Sequence, residues 1–113
     1  MRIEKQGDVA IVTPAGWLVG GVETLELQHA IRDLLAEGNR RLVLDLSEVV
    51  MLNSLAVGAL VGCRQSYKNR DGQVALCGLN RRILRVFLLT QLTLVFDLHE
   101  TRDEALASLV AVA

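Results

Sequence analysis

Aromatic residues are scarce in this 113-residue chain: one Trp, one Tyr and two Phe make up 4% of it. The core must therefore be built from Leu, Val and Ala, because 51% of the residues are apolar. Cysteine is limited to Cys63 and Cys77, with no CxxC pair and no histidine beside either. That pattern offers no metal knuckle and predicts two reduced thiols buried as small apolar side chains. No charge of one sign dominates: 12 Lys and Arg face 13 Asp and Glu, for a formal charge of -1. A general nucleic-acid binder needs a concentrated basic face, so nucleic acid is not an expected partner. Long apolar runs are missing too. The longest, Leu55–Cys63, is far short of the ~20 residues that cross a bilayer, so no direct membrane insertion is expected. Glu4, Lys5, Gln6, Gly7 and Asp8 interrupt any signal-peptide core after Met1-Arg2, and a cytoplasmic address is the default. With no repeat, linker or low-complexity segment, residues 1–113 read as one domain, large enough to fold without disulfides or metal.

What is present is an alternation of strands and helices. Arg2–Lys5 and Val9–Thr13 read as a hairpin around Gln6-Gly7-Asp8, and Trp17-Leu18-Val19 adds a few extended residues before Gly20-Gly21. Leu27, Ile31, Leu34 and Leu35 recur at helical spacing opposite Glu26, Arg32, Asp33 and Glu37, and Gly38 closes that helix. Arg41–Leu46 is a nearly continuous apolar run, as in a strand covered on both faces. Ser47–Leu52 reads as a loop. Asn53-Ser54 are good N-cap residues, and a helix follows from Leu55 to about Arg70. Gln73–Cys77 is a strand, Arg81 to about Thr90 a helix with Ile83, Val86, Phe87 and Thr90 on one face, and Leu94–Leu98 a last strand. Thr101-Arg102-Asp103-Glu104 has the form of a capping box, opening a helix whose buried stripe is Leu106, Leu109, Val110 and Ala113. The predicted fold class is α/β, a mixed and largely parallel sheet of four or five strands with four helices.

In open α/β sheets, ligands and partners meet the protein at strand C-terminal ends and the adjoining helix N-termini. Asn53-Ser54 occupies such a place. Unpaired N–H groups and a partial positive charge favour an anion there, and a phosphoryl group on Ser54 would add a charge of about -2. On these grounds alone a plain N-cap role is what Asn and Ser usually serve at such a position.

The stretch Leu44-Asp45-Leu46-Ser47 through Asn53-Ser54-Leu55-Ala56-Val57-Gly58-Ala59-Leu60 resembles the signature of the STAS domain, found in sulfate transporters and anti-sigma factor antagonists. The resemblance runs over essentially the whole chain, including Gly72 to Gly78, Asn80-Arg81-Arg82-Ile83-Leu84 and Asp103-Glu104-Ala105-Leu106. It implies the STAS fold, no catalytic activity and no cofactor. It also implies a partner-switching role, in which an antagonist binds an anti-sigma factor that is a serine kinase, and phosphorylation of the motif serine breaks the binding. The matching serine is Ser54. The implied contact surface is Asn53, Ser54, Leu55, Ala56, Val57 and Gly58. Asn53 stands where the family has an acid, Leu55 where it has a second serine, Ala56 where it has glycine, and Val19 where an acid often follows Gly-X-Leu. Two other readings stay open: a non-switching STAS scaffold subunit of a transporter or stress-sensing complex, and a nucleotide or small-molecule binder at the Ser54 helix start.

Other candidates are weaker. His29 has only Asp33 at helical spacing, and His99 has no second ligand, so no metal site is expected. Ser54 lacks a G-x-S-x-G elbow, and Gly20-Gly21 lacks the Lys-Ser/Thr of a phosphate loop. Arg81, Arg82 and Arg85 fit a solvated helix face or a contact with an acidic partner or phosphate. Trp17 fits a core position better than a partner surface.

Overall fold

The computed structural model describes residues 1–110. Strands β1 (Arg2–Gln6) and β2 (Val9–Thr13) form the antiparallel hairpin, turned at Gly7 with φ +62°. Strands β4 (Arg41–Asp45), β6 (Gln73–Cys77) and β7 (Asp97–His99) then add in parallel, giving the order β1-β2-β4-β6-β7. Between them run helices α1 (Val22–Ala36), α2 (Ser54–Lys68), α3 (Arg81–Leu89) and α4 (Arg102–Val110).

The strand alternation sends side chains to two cores. Ala10, Val12, Leu42, Leu44, Val74 and Leu76 meet the inner stripes of α1, α2 and α3. Val9, Ile11, Val43, Ala75 and Cys77 meet Ala105, Leu109 and Leu106 of α4. Burial on both faces explains why the central strands are continuous apolar runs. Local signals set the helix ends. Gly38, at φ +98°, ends α1 in a Schellman turn, with Gly38 N–H bonding Leu35 O and Asn39 N–H bonding Leu34 O. Glu104 N–H bonds Thr101 Oγ1, as the capping box requires.

Three expectations need correction. The segment read as a loop is strand β5 (Glu48–Leu52), paired in parallel with β3 (Ala15–Leu18) in a separate two-stranded sheet. A register shift between Gly16 and Trp17 breaks the alternation that would have revealed it. The last strand is not Leu94–Leu98: a 3-10 turn occupies Leu92–Leu94 and the strand begins at Asp97. Phe96 is drawn inward, its ring centroid 5.7 Å from that of Phe87, and this packing overrides the β-propensity of the run. Thr90 is exposed as the C-cap of α3, bonding Val86 O instead of facing the core. In α4, Ala105 joins Leu109 in the core, while Ala113 and the Val110 side chain lie outside the described residues.

One cation fastens α4 to the sheet. Arg102 donates from Nε and Nη2 to Asp45 Oδ2 (3.1 and 3.0 Å), from Nη2 to Thr13 Oγ1 (3.2 Å) and from Nη1 to Glu4 Oε2 (3.2 Å). Asp45 is buried, and Ser47 N–H donates to its Oδ1 at 3.0 Å. Burial alone would raise the Asp45 pKa, but hydrogen bonds from Ser47 and Arg102 outweigh it and hold the carboxyl below its usual range.

Candidate functional site

The small β3/β5 sheet carries the chain beyond the ends of β2 and β4 and delivers Asn53 to the start of α2. Asn53 does three jobs there. Its N–H bonds Leu18 O (3.2 Å), its Nδ2 donates to Val19 O (2.9 Å), and its Oδ1 accepts from Ala56 N–H (3.1 Å). One neutral amide therefore caps α2 and fixes the loop after β3 against it. An aspartate could accept from Ala56 but could not donate to Val19 O.

Ser54 is consequently the first residue of the helix, not its cap. It is exposed, and its hydroxyl has no hydrogen-bond partner among the described residues. The first-turn N–H groups of Ser54 and Leu55 lack intrahelical acceptors by geometry, and that turn holds no acidic residue. An anion on Ser54 would meet favourable helix charge.

The rest of the expected contact segment divides between two faces. Leu55 and Gly58 are exposed and Val57 is half-buried, whereas Ala56 is buried in the core. The Ala56 side chain thus positions the turn and does not face a partner. Leu55 keeps 66% of its surface exposed while lying over Gly20. Gly20 has φ +88°, and a Cβ there would stand 2.7 Å from Leu55 Cδ1, so the close approach needs glycine.

Around this end of the molecule lie exposed apolar side chains from three further elements. Trp17 on β3 is 57% exposed, correcting its expected core position, and Val22 at the start of α1 is 66% exposed. Val19, Leu25 and Val50 are exposed as well. Val22 and Leu25 were not legible as surface candidates from hydrophobicity alone. The usable signal was phase, since both fall opposite the Leu27-Ile31-Leu34 stripe on a helix. From Leu55 a groove of about 650 Å³ continues between α1 and α2, past Gly58 and Gly62, with Arg32 and Arg70 in its lining and no acid.

The remaining polar candidates are not brought together. His29 is exposed on α1, and His99 Nε2 lies 2.8 Å from Asp97 Oδ1 in β7. Among the described residues no cluster of three His, Cys, Asp or Glu could hold a metal. Burial pushes the thiols of Cys63 and Cys77 up to about 12, the latter also under the influence of Asp45, leaving both protonated at neutral pH. No helix among the described residues is long and apolar enough to cross a membrane.

The mixed sheet, its four helices and the separate β3/β5 pair, with an exposed serine opening α2, define the fold and the site. Residues 1–105 match the STAS domain family, and the chain belongs to it. It is 31% identical over 101 residues to an anti-sigma factor antagonist homologue of Thermotoga neapolitana, covering 88% of each chain. The crystal structure of an anti-sigma factor antagonist from Thermotoga maritima superimposes with a TM-score of 0.88 at 26% identity, over 96% of this chain and 92% of that one. The Bacillus cell fate determinant SpoIIAA, solved in its phosphorylated form, shares the fold with a TM-score of 0.74 at 16% identity, over 95% and 96% of the two chains.

Proposed function

We propose that this chain is a cytoplasmic anti-sigma factor antagonist, docking onto a serine-kinase-like anti-sigma factor through the surface around Ser54. The observation that carries this reading is an unbonded serine hydroxyl at the positive end of α2, with exposed Leu55 beside it in sequence and exposed Trp17, Val22 and Leu25 flanking the loop that Asn53 fastens to α2. Exposed apolar side chains gathered near one surface suit burial against a protein partner. The switching step is phosphoryl transfer from ATP. A bond forms between Ser54 Oγ and the γ-phosphorus as the bond to the ADP oxygen breaks, and the serine proton leaves to solvent or a base of the kinase. The dianion would be tolerated by the helix but would oppose desolvation of this surface, releasing the partner. That several relatives carry the name anti-sigma factor antagonist supports the partner class. Incubation with the cognate anti-sigma factor and ATP, followed by peptide mass spectrometry, should find one phosphoryl group on Ser54. A protein that docks without ever acquiring phosphate there would overturn the switch and leave docking alone.

The neutral Asn53, where the family pattern has an acid, favours a second reading as a non-switching scaffold subunit. Pull-down of transporter ATPase subunits, with no kinase retained, would select it.

A further inference from the structure

We propose that α3 and the turn after it form a tip for peripheral contact with an anionic lipid surface, distinct from the Ser54 face. Two features of this segment have no use within the fold. Arg81 and Arg82 occupy the first turn of α3, where the helix macrodipole disfavours cations. With Arg85 they are exposed and make no ion pair among the described residues. Leu88 is exposed, Leu89 is 77% exposed and Leu94 83% exposed. Between them Gln91, left-handed at φ +61°, ends α3, its N–H bonding Leu88 O.

Helical phase sorts these residues. Ile83 and Phe87 point into the core, so Arg81, Arg82, Arg85, Leu88 and Leu89 share the opposite side, with the cations at its beginning and the leucines at its end. The 3-10 turn that follows packs against α3 and carries a further exposed leucine, Leu94. Side chains that keep more than three quarters of their surface protrude; they do not line a recess. The result is an apolar tip beside a basic collar.

Charge decides what can cover it. No Asp or Glu occurs between Asp71 and Asp97, so the same tip of a second copy, meeting it symmetrically, would bring arginines against arginines. An anionic headgroup layer answers the collar, and the acyl boundary beneath it takes the leucines, the two-signal arrangement that interfacial segments use. Asn80 caps α3 through Oδ1 and donates from Nδ2 to Val49 O and Val50 O. The tip is thereby anchored to β5, the strand that leads to Ser54.

Flotation of the whole chain with vesicles tests this. Partition into vesicles of about one-third phosphatidylglycerol in phosphatidylcholine should exceed that into phosphatidylcholine alone by at least ~10-fold, and fall as salt rises. Replacing Arg82 and Arg85 with Glu, or Leu89 and Leu94 with Ser, should each reduce partition by at least ~10-fold. These positions are exposed, and unchanged far-ultraviolet circular dichroism and melting would certify the variants' fold. S54D should partition like the parent, which keeps this test separate from the proposed switch. No preference for anionic vesicles overturns the proposal. Binding to soluble polyglutamate at least as tight as to vesicles, and indifferent to the leucine substitutions, would also overturn it and assign the collar to an acidic protein.

Discussion

Replacing Ser54 with aspartate puts a full negative charge on the first residue of α2, where at present no acid stands. The isolated domain should gain stability. A carboxylate in the first helical turn is worth about 0.3–1 kcal/mol. With an unfolding entropy of about 2.1 cal/mol/K per residue, that raises the melting temperature by about 1 to 4 °C. Docking should move the other way. The exposed apolar side chains Trp17, Val22, Leu25 and Leu55 supply no cation to pair with the new charge, and burying an unpaired carboxylate in a protein interface costs about 2–5 kcal/mol. That corresponds to an affinity loss of roughly 30-fold to several thousand-fold. Differential scanning calorimetry on the free protein and titration calorimetry with the anti-sigma factor read the two signs separately. Lowering the pH below about 4 should erase the thermal gain as the new carboxyl protonates. Ser54→Ala should bind like the parent. A melting point that falls in S54D, or an affinity that stays level, would refute the account of Ser54 as a charge switch on a sound helix.

Asn53→Ala removes the α2 cap and the Nδ2 bond to Val19 O together, and should cost about 1–2 kcal/mol in urea unfolding; a change within 0.5 kcal/mol, on the order of an ordinary surface substitution, would deny Asn53 its locking role. Gly20→Ala should destabilise by about 1–3 kcal/mol, because it combines a left-handed backbone with a methyl group 2.7 Å from Leu55 Cδ1. Adding Leu55→Ala should restore part of the loss, and a double-mutant cycle with no coupling would contradict that contact. Arg102→Ala should cost about 2–4 kcal/mol by leaving the Asp45 carboxylate buried without its cation, measured by denaturant unfolding at pH 7. The pH dependence has a definite sign. The folded Asp45 pKa is lowered, so its contribution is complete above the unfolded value of about 3.9. It is lost as pH falls through the folded pKa. Asp45→Asn should therefore be less stable than the parent at pH 7 and flatten that acid limb, and a parallel acid limb in both proteins would count against it.

The elements most legible from sequence are those whose local chemistry agrees with the fold. Gly38 terminates α1, Thr101 opens α4, and the both-sides-buried strands are continuous apolar runs for the reason their packing gives. What escaped detection depends on contacts distant in the chain. Among the described residues, strand β5 pairs with β3 alone, with a bulge that scrambles period-two alternation. Strand β7 begins late because Phe96 packs on Phe87. At the site, the serine could be located from its motif, but its apolar surroundings could not. Trp17 reads as a core residue until β3 is seen to leave the main sheet, and Val22 and Leu25 stand out only once the inner stripe of α1 is fixed. The Asn53 bond to Val19 O spans two segments that composition does not connect.

The Arg102 fastening has a consequence for how the chain acquires its shape during synthesis. Glu4 and Thr13 leave the ribosome well before the guanidinium that joins them to Asp45, which arrives together with Ala105 and Leu109. Until then Val9, Ile11, Val43 and Ala75 form a bare oily strip on a nascent sheet, the kind of surface that chaperones hold and that aggregates when unattended. Closure of this fold is thus a late event, and a ribosome stalled before residue 102 would present a half-dressed sheet.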